Sequence, residues 1–68
     1  MTDENDTLGL DILKGVPKIA HFTGEPKRRV YYLLEHKLIP AGKLGAIWIA
    51  SKTKLREHYA RIASGGAV

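Results

Sequence analysis

Leu13, Val16 and Ile19 or Ala20 recur at the three-and-four spacing of a helix that turns one face to a core. Pro17 belongs in a first turn, where its missing N–H goes unused, so the spacing predicts a helix over about 16–23. Residues 10–15, with Leu10, Ile12 and Gly15, read either as a helical turn or as an extended lead-in. Gly24 supplies a left-handed cap, and Glu25-Pro26 opens a second helix over about 26–36. That helix carries Val30, Leu33 and Leu34 on one stripe, and Leu38-Ile39-Pro40 ends it. Residues 41–50 fit a helix poorly. Ile47, Trp48 and Ile49 in succession, after Gly42 and Gly45, predict two short strands turning at Gly45-Ala46. Trp48 then lies on the face opposite Ile47 and Ile49, and the pattern leaves open which face is inward. Ser51 caps a last helix over about 52–63, with Leu55, His58 or Tyr59, and Ile62 on its core side. Glu57 and Arg61 form a favourable i,i+4 pair on its outer face.

The flanks differ in character. Residues 1–7 are polar and acidic without periodicity and read as a disordered tail, and 64–68 read as a flexible end. One domain over about 8–63 remains. At 68 residues and about 7.5 kDa, roughly 60% of the extended chain's surface can be buried, which leaves one thin core. A substrate cavity of several hundred Å³ is hard to carve from it, so an enzyme is disfavoured. With no cysteine there is no disulfide framework, thiol nucleophile or zinc knuckle. His21, His36 and His58 lie 15 and 22 residues apart and form no i,i+4 pair, so no metal, cofactor or small-molecule substrate is expected.

Charge sharpens the picture. The formal net charge is +4, yet residues 12–68 hold all eleven basic residues against three glutamates, a net of +8. Such a basic body points to a polyanionic partner, nucleic acid before an anionic membrane. No apolar run approaches the roughly 20 residues of a span, and no charged-then-apolar signal leads the chain. The expectation is a soluble, cytoplasmic protein.

The first two helices carry the most specific pattern. Ala20 suits the point where two helices touch, Gly24 the turn between them, and Val30 and Leu33 the inner face of the second, with Ile19 beside them. These are the requirements of a helix-turn-helix; an ordinary αα-corner is the alternative. Opposite Val30, Leu33 and Leu34 lie Arg28, Tyr32 and Glu35, flanked by Arg29, Tyr31 and His36. Arginine bonds a guanine edge or clamps a phosphate, and a tyrosine hydroxyl reaches a backbone oxygen. Lys27, Arg28 and Arg29 fill the first turn of one helix, and Lys52 and Lys54 that of another. Cations there oppose the helix dipole unless phosphates stand nearby. Lys43 is the basic residue placed to reach DNA from the strand turn, and Trp48 reads as core rather than as a stacking platform.

The segment GVPKIAHFTGEPKRRVYYLLEHKLIPAGKLGAIWIASKTKLREH resembles the small winged helix-turn-helix proteins of the excisionase group, the recombination directionality factors, related to the MerR-type DNA-binding domain. The matching parts are IAHFTG, RRVYYLLEHKLIP, the KLG that opens the wing, the Trp of its return strand, and SKTKL. The resemblance implies a mainly α fold with a small two-stranded β wing. It implies a non-enzymatic protein, bacterial or phage-encoded, that binds double-stranded DNA, with adjacent copies of itself on direct repeats and an integrase or recombinase as partner. Its recognition positions fall on Lys27, Arg28, Arg29, Tyr31 and Tyr32, and its wing on Lys43 to Ile47. The wing tip, Gly45-Ala46-Ile47, departs from a pattern that often carries arginine. Two rival roles stay open: a small transcriptional regulator of a phage or plasmid type, and a protein-interaction module with a basic face.

Overall fold

A computed structural model describes residues 9–65. The expected tail at 1–7 lies outside the described residues, as do 66–68. In chain order the elements are β1 (Ile12–Lys14), α1 (Val16–Thr23), α2 (Lys27–Glu35), β2 (Gly42–Leu44), β3 (Ile47–Ser51) and α3 (Lys52–Ala63). Residues 9–11 are helical and run straight into β1.

The strands form one antiparallel sheet in the order β1-β3-β2. Both halves of the ambiguity at residues 10–15 are therefore realised: a helical turn, then a strand. Ile12, Leu13 and Lys14 pair with Ser51, Ala50 and Ile49, so β3 is central. This corrects the expectation of a mainly helical fold with two strands; the domain is mixed α/β with three. The pairing explains why a three-residue run too short to read alone becomes a strand. Gly15 makes the next step, because its φ of 93° turns the chain sharply into α1. Its N–H donates to the Trp48 carbonyl at 2.7 Å and ties the start of α1 to β3.

Both ends of the α1–α2 connection have a local cause. Gly24, at φ 78°, caps α1 and donates its N–H to the Ala20 carbonyl at 2.9 Å. The C-terminus of α2 is less legible. Lys37 stands at φ 55°, and the N–H groups of Lys37 and Leu38 donate to the carbonyls of Leu34 and Leu33. That is a Schellman motif with lysine at the position glycine usually takes.

The core gathers Leu13, Val16, Ile19, Ala20, Val30, Leu34, Ile39, Ala50 and Leu55. Ile19, Val30, Leu34 and Leu55 are essentially inaccessible, and each contributes about 1.5–3 kcal/mol by burial. Four details differ from the sequence expectation. Leu34 rather than Leu33 joins Val30 as the inner anchor of α2; Leu33 is half-buried at its edge. Ile39 is a core residue as well as part of a break, and Leu10 stays largely exposed. Glu57 pairs with Lys54 at 3.7 Å, not with Arg61. The N–H groups of Ser64 and Gly65 donate to the carbonyls of Ala60 and Ile62. Trp48 shares the inward face of β3 with Ala50 and packs, half-buried, against the core.

Candidate nucleic-acid interface

The anchoring of α2 by Val30 and Leu34 turns its opposite face outward. Lys27, Arg28, Arg29, Tyr31 and Tyr32 are all exposed, the two tyrosines by 50% and 54%. Tyr32 lies against His36, one turn on, with ring centres 4.3 Å apart. Pro26, Arg28, Arg29 and Tyr32 line a shallow depression at the start of the helix. The surface is thus cationic at its N-terminal end and aromatic at its middle, with Glu35 its only exposed acid.

The two basic first turns, alike in sequence, differ in space. Pro26 stands at the N-cap of α2 with no side-chain cap, and no acid lies in the first turn. The N–H groups of that turn and the cations of Lys27, Arg28 and Arg29 therefore share one open end. At α3 two of the corresponding N–H groups have side-chain acceptors. Ser51 accepts from the Lys54 N–H at 3.2 Å, and Asp11, 42 residues before Thr53, accepts from its N–H at 3.0 Å and its hydroxyl at 2.7 Å. The Ser51 hydroxyl also donates to Asp11, at 2.6 Å. These bonds, that of Ser51 first, hold the Asp11 carboxyl below the usual aspartate range, and the charge of Arg56 adds to them. The α3 terminus already has its carboxylate. A carboxylate thus stands at the first-turn cations of α3, whereas in the first turn of α2 only Arg29 has one beside it, from Glu25.

Other members of the expected set are held by neighbours. Glu25 sits between Arg29, whose Nε is 3.3 Å away, and the Tyr59 hydroxyl, which donates to it at 3.4 Å. Partial burial and that nearby carboxylate push the Tyr59 hydroxyl above the usual phenol range. Lys43 stands over the Trp48 ring at 5.2 Å, directly across β2–β3. Half-buried Lys52 lies 6.0 Å from the Phe22 ring, joined there by Arg56 at 5.3 Å. Lys54 faces Glu57.

Sequence reasoning missed Asp11 and Arg56. Their partners lie 40 or more and 34 residues away, and no local spacing signals such contacts. Among the described residues no three metal-ligating side chains come together, and no helix is long and apolar enough to cross a membrane. No family model, curated protein or solved structure matches the chain.

Proposed function

We propose that the domain is a winged helix-turn-helix that binds duplex DNA, with α2 in the major groove and the β2–β3 hairpin as the wing. The observation that carries the reading is the state of α2: an uncapped, cation-filled first turn continuing into exposed Tyr31 and Tyr32. As a free protein this arrangement is unfavourable, since Lys27 and Arg28 oppose the helix dipole with no acid in that turn and only Arg29 has a carboxylate, Glu25, beside it. A row of phosphates reverses the sign, because N–H groups and cations then act together. The Arg28 guanidinium and the Tyr32 hydroxyl have the chemistry for base edges and backbone oxygens.

The role within DNA binding is that of an architectural factor in site-specific recombination, resting on the likeness of IAHFTG, RRVYYLLEHKLIP and SKTKL to excisionases. A recombinase and adjacent copies of the chain are the partners in that role, and the bacterial or phage cytoplasm its setting. Titrating a labelled duplex across a salt series tests the binding itself. Five or six phosphate contacts give a log–log salt slope of about −5. A basic protein-interaction module predicts no duplex binding at moderate salt, and that result would refute the proposal. Closely spaced direct repeats filling cooperatively favour the architectural role; a symmetric dimer on a palindrome favours a transcriptional regulator.

A further inference from the structure

The β2–β3 hairpin carries two aliphatic side chains that core packing does not explain. Leu44 lies opposite Ile47 in the register, and the two are 70% and 50% exposed. They flank the two-residue turn Gly45-Ala46, in which only Gly45 has positive φ, at 66°; this is the II′ pattern of a tight hairpin. Strand alternation puts both on the face turned away from Trp48 and Ala50. On their own face, Lys14 lies opposite Ile49, two residues along β3 from Ile47. On the other face, Lys43 lies opposite Trp48. The three strands contain no carboxylate. The hairpin is therefore an apolar tip with a cation on each side of the sheet.

A partner that complements this has an apolar slot between two rows of anions. The minor groove of a duplex fits, with phosphates along both walls and sugars and base edges between them. At about 6 Å it is too narrow for a hairpin whose paired strands alone are about 4.8 Å apart, so only tip side chains enter. Leucine and isoleucine so placed act as wedges that part a base step. A flat anionic bilayer offers one charged plane rather than two walls, and matches cations on opposite faces less well.

We propose that Leu44 and Ile47 form a minor-groove wedge that unstacks a base step next to the α2 site, with Lys14 and Lys43 meeting phosphates of opposite walls. The proposal rests on the duplex-binding reading and adds an act separate from it. The test uses the full chain and short duplexes carrying 2-aminopurine at successive steps, whose fluorescence rises on unstacking. Wild type is expected to raise emission several-fold at one or two adjacent steps. Leu44→Thr with Ile47→Thr puts β-branched threonine at both exposed strand positions, so the fold persists, as melting and Trp48 fluorescence will check. This double variant is expected to hold duplex affinity within about tenfold and to lose the enhancement. Bound wild type without any enhancement, or an unchanged enhancement in the double variant, overturns the wedge while leaving duplex binding intact. Binding to phosphatidylserine vesicles that needs Leu44 and Ile47, with no base unstacking, overturns it in favour of a lipid surface. Absence of duplex binding at low salt overturns both readings.

Discussion

Replacing Arg28 by alanine is expected to make the protein more stable and a weaker DNA binder at once. Arg28 occupies the second position of an α2 first turn with no side-chain cap and no acid, and it makes no ion pair among the described residues. Removing one exposed cation from a helix N-terminus stabilises by about 0.3–1 kcal/mol. In a domain this small, 1 kcal/mol moves the midpoint by about 4–8 °C, so Tm rises by about 1–8 °C. The gain shrinks at high salt, where the dipole interaction is screened. Loss of one phosphate contact makes the salt slope less negative by about 0.9 and weakens binding about eightfold at 0.1 M salt. Arg29→Ala is the internal control. It loses the same dipole repulsion together with the Glu25 pair, worth about 0.3–0.5 kcal/mol, so its Tm is expected to rise less than that of Arg28→Ala. Circular-dichroism melts at low and high salt, paired with fluorescence-anisotropy titrations, measure both effects. A drop in Tm for Arg28→Ala, or wild-type affinity and slope in that variant, would refute the reasoning.

Three further outcomes follow from the geometry. Lys37→Gly relieves a left-handed lysine in the Schellman motif and is expected to stabilise by about 0.5–1 kcal/mol, seen as a higher melting midpoint. A lower midpoint would mean that the Lys37 side chain has a role its conformation does not reveal. Ser51→Ala removes the α3 cap and a donor to Asp11, and is expected to cost about 1 kcal/mol or somewhat more in a denaturant titration. Asp11 has its folded pKa lowered, so its stabilisation is complete above the unfolded value of about 3.9 and is lost as pH falls through the folded one. Asp11→Asn is therefore expected to be less stable at neutral pH and to lose less stability on acidification; parallel acid-melting curves for the two proteins would contradict this.

Legibility in the sequence tracked how local each cause was. The limits of α1, the Gly24 cap, the turn at Gly45-Ala46 and the Ser51 cap all follow from residues within one or two turns of the feature they set. The outward face of α2 was legible for the same reason, since periodicity about Val30 places Arg28 and Tyr32 opposite it. The Glu57–Arg61 pair is not formed because two nearby cations compete for one carboxylate, and Glu57 faces Lys54 instead.

By its own order of residues the chain determined three helices, a hairpin and a cationic first turn at each of α2 and α3, because spacing and capping act within a few residues. Only the tertiary structure decided that Ile12–Lys14 becomes a third strand, since a short extended segment gains its hydrogen bonds from β3. Folding also separated the two basic helix termini. It brought Asp11 to α3, supplying a carboxylate across 42 residues, and left the start of α2 without a side-chain cap. Which of two similar helix termini has its N–H groups taken by a distant carboxylate is a question of long-range contact, and periodicity carries no information about it.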